Sequence, residues 1–309
     1  MSLLTVGSIA FDKIETPFGK TEKIVGGAGT YIALAASLYN NNQTVISIVG
    51  EDFPEEMLNE FRNRKINLDG LQIIKGEKTF FWSGKYSKDM NSRTTLATEL
   101  NVLEHFNPIV PEKHQITDYL MLGNLSPVVQ FKVIEQLKVR PKLIAMDTMN
   151  FWMDISLDQL KKTISMVDLI IINDEEARQL SNEYSLISAA KTIRKMGPKF
   201  VIIKKGEHGA LLFYEENIFH APALPLEEVF DPTGAGDTFA GGFMGYISST
   251  DNISFENMKS AIIHGSALAS YCVEDFGIKQ LQKITKKDLE NRICQFVELT
   301  KFNVIDSVK

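Results

Sequence analysis

The stretch Asp231-Pro-Thr-Gly-Ala-Gly-Asp-Thr-Phe-Ala-Gly-Gly-Phe243 carries the strongest chemical signal in the sequence. Gly234 and Gly236 flank Ala235, and an apolar helical run follows at once. A helix opened by a glycine-rich turn leaves several backbone N–H groups without intrahelical partners. Its dipole adds partial positive charge at the same end. Such a turn is a ready site for phosphate and other anions. With no Cβ at 234 or 236, a phosphate can approach the main chain closely. Asp237 stands at the mouth of that site. A carboxylate beside bound anions is unfavourable unless it has a task, and accepting a proton is the task that fits. Tight helix packing would also use these glycines; the run as a whole favours chemistry.

Other parts of the chain must hold that turn beside a substrate. Short runs at 3–9, 44–49, 119–122, 143–146, 169–172 and 200–203 are nearly all apolar. Runs apolar on both faces suit parallel strands covered on both sides. Between them the spacing predicts helices near 30–39, 54–64, 127–137, 157–166 and 186–196, with longer ones near 235–247, 255–273 and 286–299. This alternation predicts an α/β fold, an open and mostly parallel sheet flanked by helices. Ligands bind such sheets beyond the carboxyl ends of the strands. Two segments break the rhythm. Residues 12–25 are polar and contain Pro17 and Gly19, while 80–100 alternate aromatic and polar residues, among them Phe81, Trp82, Tyr86, Arg93, Thr94 and Thr95. Insertions near 12–25 and 75–100 predict a small β-sheet lid on a single domain spanning 1–309; ordinary surface hairpins are the alternative.

Composition narrows the field. With 309 residues, 44% of them hydrophobic, the chain builds a full core without disulfides. A formal charge of -6 argues against a nucleic-acid partner, which needs a basic face. No apolar run approaches the roughly 18–20 residues of a membrane span. The opening Met1-Ser-Leu-Leu-Thr-Val-Gly7 reads as a first strand rather than a signal peptide, so a cytoplasmic protein is expected. Cys272 and Cys294 lack CxxC spacing and read as thiols in a reducing compartment. The five histidines, His105, His114, His208, His220 and His264, have no metal-ligand spacing. The G-x-x-x-x-G-K-[ST] phosphate loop, H-E-x-x-H, G-x-S-x-G and a G-x-G-x-x-G after the first strand are all missing.

The 231–243 segment resembles the C-terminal signature of the PfkB (ribokinase-like) carbohydrate kinases, and the resemblance runs along the chain. Gly7-Ser-Ile-Ala-Phe-Asp12 is similar to the family's opening strand and its substrate-binding aspartate. Gly26-Gly27 matches the paired glycines that let substrate lie against the backbone. Asn173-Asp-Glu-Glu176 is similar to the N-x-x-E motif, and Lys205-Gly-Glu-His-Gly209 to the K-G-x-x-G nucleotide loop. The resemblance implies a ribokinase-like fold and transfer of the γ-phosphoryl group of ATP to a hydroxyl of a small sugar or sugar derivative. Asp237 would take the hydroxyl proton, while Gly234, Ala235 and Gly236 offer backbone N–H groups to the charge on the phosphoryl. Asn173 and Glu176 would help place Mg²⁺ through water; a strand-to-helix Asn-x-x-Glu is equally a capping box. Lys205, Gly206 and Gly209 would hold the nucleotide. His264 would lie near the adenine, or simply pack. Asp231 and Thr233 match a monovalent-cation site for K⁺, and a Pro-containing turn explains them equally well. Asp12 would accept hydrogen bonds from two sugar hydroxyls. Relatives often pair through the lid, which implies a homodimer.

Two departures from the family pattern concern the substrate. Relatives commonly carry Asn four residues after the glycine pair; here Tyr31 stands there, preceded by Thr30. Relatives often carry D-x-N-x-R after a middle strand, where this chain reads Asp147-Thr-Met-Asn-Phe-Trp152. Thr30 or Tyr31 would take over the missing contact. Arg93 in the lid would fork onto an acidic group, and the lid aromatics would face a sugar, a nucleobase or a second subunit. Tyr31 and those aromatics motivate a nucleoside kinase as the alternative. A non-catalytic sugar- or nucleotide-binding protein on this fold is the rival of a different class, and it would have no need of Asp237.

Overall fold

The computed structural model describes residues 1–302. In chain order the strands are β1 (Leu3–Val6), β2 (Ala10–Thr16), β3 (Gly19–Lys20), β4 (Ile24–Gly26), β5 (Gln43–Gly50), β6 (Ile66–Ile74), β7 (Phe81–Tyr86), β8 (Arg93–Glu99), β9 (Tyr119–Leu122), β10 (Leu143–Met146), β11 (Leu169–Asn173), β12 (Phe200–Lys204), β13 (Ala210–Tyr214) and β14 (Asn217–Ala221). The helices are α1 (Ala28–Ala36), α2 (Glu55–Asn63), α3 (Pro127–Glu135), α4 (Asn150–Ile155), α5 (Leu157–Ile164), α6 (Asp174–Ser181), α7 (Leu186–Arg194), α8 (Ala235–Thr250), α9 (Phe255–Cys272), α10 (Lys279–Lys283) and α11 (Lys286–Thr300).

The apolar runs form the middle of one nine-stranded sheet, ordered β14-β13-β12-β11-β10-β9-β1-β5-β6. From β6 to β12 neighbouring strands are parallel, and β13 and β14 add an antiparallel edge. Alternation sorts their side chains into two layers. Leu4, Val6, Leu120, Leu122, Ile144, Met146, Ile170, Ile172, Val201 and Ile203 face one core, packed with residues of α3, α5, α6 and α7. Leu3, Tyr119, Met121, Leu143, Ala145, Leu169, Ile171, Phe200 and Ile202 face the other, beneath α1, α8 and α9. Strand order reverses at β1, which has β5 on one side and β9 on the other. In an open α/β sheet that reversal opens a crevice at the carboxyl ends of the strands.

The two segments that broke the strand-helix rhythm join in a second sheet, ordered β3-β2-β7-β8 with β4 paired to β2. The β2–β7 pair is parallel and the others are antiparallel. Its register sets Asp12 opposite Trp82, Ile14 opposite Gly84, and Tyr86 opposite Arg93. Period-2 alternation therefore puts Asp12, Trp82, Tyr86 and Arg93 on one face. The first run, expected over 3–9, ends at Val6, and β2 begins at Ala10.

Candidate active site

Helix α8 starts from Gly234, which has φ 74° in the left-handed region. A Cβ there would lie 2.4 Å from the Tyr31 ring, so both backbone and packing demand glycine. Ala235 turns its N–H back onto Pro232 O at 3.2 Å. Gly236 and Asp237 occupy the next positions of the first turn, where N–H groups have no intrahelical acceptor. A Cβ on Gly236 would come within 2.8 Å of Lys204 Nζ. The start of α8 thus faces an ammonium group as well as its own amides.

Strand parity explains the company Asp237 keeps. Leu143 and Ala145, Leu169 and Ile171, Phe200 and Ile202 all face the α8 layer. The next residues in the same phase are Asp147, Asn173 and Lys204, all at carboxyl ends of adjacent strands. Lys204 Nζ lies 3.8 Å from Asp147 Oδ1, with side-chain exposures of 18% and 9%. Asp237 Oδ1 is buried without a hydrogen-bond partner. Burial, then the charge of Asp147, pushes the Asp237 carboxyl up to about 7 against the pull of Lys204 and Arg93. Burial also pushes Glu176 up to about 7, again with help from Asp147. For Lys204, the charges of Asp147, Glu176 and Asp237 outweigh burial, so its ammonium is held above its ordinary range and stays protonated.

Asp12 lies across this cluster on the second sheet. A Cβ on Gly26 would sit 1.9 Å from Asp12 Oδ2, and Gly27 takes φ 91°, a conformation suited to glycine. Burial, then Asp231 and more weakly Asp237, raises the Asp12 carboxyl to about 7, while a Gly27 N–H pulls it down. Arg93 projects from β8 with its guanidinium 5.9 Å from the Trp82 ring. Thr233 donates to the Tyr86 hydroxyl at 3.0 Å, tying the small sheet to the turn before α8. Asp237 acts on Lys204 and weakly on Asp12, which places the carboxylate of the small sheet on the same side as the start of α8.

The sequence matches the description "pfkB family carbohydrate kinase" over residues 3–283. The chain belongs to that family. It is 29% identical over 250 residues to the cytidine kinase of Thermococcus kodakarensis, spanning 79% of this chain and 87% of that one. It is 26% identical over 305 residues to the nucleoside kinase of Methanothermobacter thermautotrophicus, spanning 89% and 90%. The crystal structure of Methanocaldococcus jannaschii nucleoside kinase, described as a ribokinase-family member, superposes with TM-score 0.77 at 22% identity, covering 96% of this chain and 99% of that one. The nine-stranded sheet and small second sheet are accordingly the ribokinase-like fold.

Several residues expected at this kinase's site are buried or hydrogen-bonded within the fold. Tyr31 is 1% exposed, its ring lies under Gly234, and its hydroxyl is buried without a partner. Thr30 is fully buried and donates to Gly26 O at 2.7 Å. Asn173 and Glu176 form a capping box: Asn173 Oδ1 accepts from Glu176 N and Glu176 Oε2 accepts from Asn173 N, each at 2.7 Å. This leaves one Glu176 oxygen and the Asn173 amide group uncommitted. Asp231, 0% exposed, accepts from Thr233 N through Oδ1 and from Gly277 N through Oδ2, both at 2.9 Å. The Asp231 carboxylate thus closes the turn before α8 and ties it to the distant Gly277.

Lys205 to Gly209 makes the β12–β13 turn, closed by Lys205 N donating to Gly209 O at 2.7 Å. Gly206 and Gly209 have φ 54° and 82°. A Cβ on Gly206 would lie 3.6 Å from Asn91 Oδ1, so the tip of the β7–β8 hairpin touches this turn. His264 stacks on Tyr246 at 4.1 Å, and its Nδ1 is 2.8 Å from the Tyr39 hydroxyl. Tyr246 lies ten residues beyond Gly236 along α8, about 15 Å at helical rise. His264 is therefore packed far along α8 from the turn, and burial pushes its pKa down to about 4. Lys204 was not among the residues expected from the sequence. Its signal was available in parity: it ends an apolar strand in phase with Phe200 and Ile202.

Proposed function

We propose that this kinase transfers the γ-phosphoryl group of ATP to a hydroxyl of a nucleoside. The observation that carries the reading is Asp237 Oδ1, buried and unpartnered at the first turn of α8. An acceptor hydroxyl there loses its proton to Asp237 as its oxygen attacks phosphorus. Backbone N–H groups of the turn oppose the charge on the phosphoryl oxygens. Asp12 accepts hydrogen bonds from two neighbouring hydroxyls and so fixes which one is presented. Structures of relatives described as complexed with ATP or an ATP analogue support ATP as donor.

Trp82 favours a nucleoside over a free sugar. It is the cross-strand neighbour of Asp12, and its ring lies over Gly84, where a Cβ would come within 2.1 Å of it. A flat indole beside the hydroxyl-binding carboxylate suits a base joined to ribose. The names of the cytidine and nucleoside kinases support the same choice. Free sugar is the second reading, motivated by a 24% identical ribokinase of Haemophilus influenzae that spans 94% of this chain.

Mg²⁺ fits the residues present. Among the described residues no cluster of three or more His, Cys, Asp or Glu could hold a metal, and Mg²⁺ commonly relies on water and substrate phosphates with one or two carboxylates. The uncommitted Glu176 oxygen is the protein group that would hold it, with Asn173 alongside. Bound there, it would neutralise phosphate charge. The small sheet acts as a lid over the crevice and excludes water from the phosphoryl group. Its β8 strand has a free edge with Leu96 57% exposed, and we propose that a second copy pairs there. Among the described residues no helix is long and apolar enough to cross a membrane.

The test is ATP consumption against a panel of nucleosides and free pentoses and hexoses. Turnover with nucleosides is expected. Turnover with free sugars alone would replace the nucleoside by the second reading, and none with any alcohol would refute the kinase reading.

A further inference from the structure

Lys204 is a largely but not fully buried cation, its side chain 18% exposed. An ammonium carries three N–H donors. Its nearest carboxylate, Asp147 Oδ1, is 3.8 Å away, beyond hydrogen-bond range. The ion pair therefore satisfies charge without saturating those donors. The group stands over Gly236, at the mouth of the α8 turn, as close as 2.8 Å to where a Cβ would be. Its surroundings are otherwise acidic: the charges of Asp147 from the end of β10, Glu176 from α6 and Asp237 from α8 all act on it. Arg93, from the lid, is the other cation acting on Asp237 and Glu176, and it is exposed where Lys204 is not. A largely buried point charge of this kind, fixed by a strand rather than a loop, is suited to phosphate oxygens.

We infer that Lys204 is a catalytic residue that binds the migrating phosphoryl group, leaving Asp147 as the ATP γ-phosphate enters the α8 turn. This rests on the phosphoryl-transfer reading of the site. The bond between the γ-phosphorus and the β–γ bridging oxygen breaks, and its electron pair leaves with ADP. The bond from the acceptor oxygen to phosphorus forms, and the acceptor proton goes to Asp237. Lys204 stays protonated throughout and donates N–H groups to the non-bridging oxygens. Charge on those oxygens is shared with the turn amides, so the ammonium matters most in the transition state. Asp147 is then the resting partner that holds the ammonium at the turn in the absence of ATP.

The test compares wild type, K204M, D147N and the double variant D147N/K204M. Steady-state turnover is measured at saturating ATP and acceptor, with ADP affinity and thermal unfolding measured alongside. Wild-type turnover comes first, because its absence would refute the kinase reading rather than the role of Lys204. Given an active wild type, K204M is expected to lose on the order of 10²–10³ in kcat, the scale of one lost oxyanion donor. ADP affinity is expected to change by less than about tenfold, since the γ-phosphoryl is absent from ADP. The double variant removes the uncompensated Asp147 charge, so it is expected to regain stability but not turnover. Recovery of turnover in the double variant would assign Lys204 a purely structural role and overturn the inference. A pH profile closes the remaining escape. Removing Lys204 also raises the Asp237 carboxyl, which moves the acid limb upward. Full recovery of K204M activity at high pH would mean that Lys204 acts only through Asp237, and would equally overturn it; a loss persisting at every pH supports phosphoryl contact.

Discussion

At Asp237, burial of a carboxylate costs stability at the position where the proposed reaction would use it as a base. Burial and the Asp147 charge lift its carboxyl to about 7, near the pH at which a general base balances availability and strength. Only the ionised carboxylate accepts a proton, so kcat/KM is expected to rise with pH through about 7. The sign for stability is opposite. The folded-state pKa exceeds the unfolded value, so the folded protein binds more protons between about pH 4 and 7, and stability drawn from this group falls as pH rises across that window. D237N is therefore expected to unfold at a higher temperature than wild type near neutrality, with the gap closing towards about pH 4, in differential scanning calorimetry. Gly234 is the second residue-scale case. G234A forces an L side chain into φ 74° and drives a methyl into the Tyr31 ring. Strain alone should remove roughly 1–3 kcal/mol, read as a lower denaturation midpoint. Both positions stood out in the sequence because a glycine-rich turn opens directly onto an apolar helical run. Lys204 did not, because a lysine beside Lys205 looks like a surface charge pair until strand phase is known.

At the scale of elements, β7 joins the small sheet to the proposed site. The Thr233–Tyr86 hydrogen bond ties the small sheet to the turn that opens α8. Y86F removes one hydrogen bond between partly buried hydroxyls, roughly 0.5–1.5 kcal/mol. The expected result is a several-fold rise in acceptor KM with ATP KM little changed. W82A should cost nucleosides roughly 1–3 kcal/mol of stacking, a KM increase of about 5–150-fold, and leave any turnover with free sugars nearly unchanged. Equal effects on both classes would argue that Trp82 only packs the lid. The apolar parallel strands were readable, since burial on both faces leaves a continuous run. The longer helices were too, within a turn at each end. The start of α6 was readable as the Asn173–Glu176 capping box, but its extent was not, because Asp174-Glu-Glu-Ala-Arg178 has no apolar stripe. β6 was hidden by Asn67, Asp69 and Gly70, which read as a turn, and the β13–β14 pair by the Glu215-Glu216 reversal. The face presented by α9 was also unreadable: the helix was expected, but its phase turns His264 onto Tyr39 and Tyr246.

For the whole molecule, two sheets meet over one crevice. The large sheet supplies Asp147 and Lys204 at strand ends, α6 supplies Glu176, α8 supplies Asp237, and the small sheet supplies Asp12 and Arg93. No single segment contains the site, so positions separated by more than two hundred residues must be brought together by the strand order. If a second copy pairs along β8, sedimentation should give a dimer, and L96K on that edge should shift it to monomer without loss of fold. The lid is then held in place by its neighbour as well as by Thr233. The most direct test of the whole arrangement is turnover of D237N, with ATP and acceptor binding measured by calorimetry on the same preparation. Binding is expected to be nearly unchanged while kcat falls by about 10²–10⁴, the contribution of a general base. A D237N enzyme that turns over like wild type would contradict the assignment of the proton to Asp237.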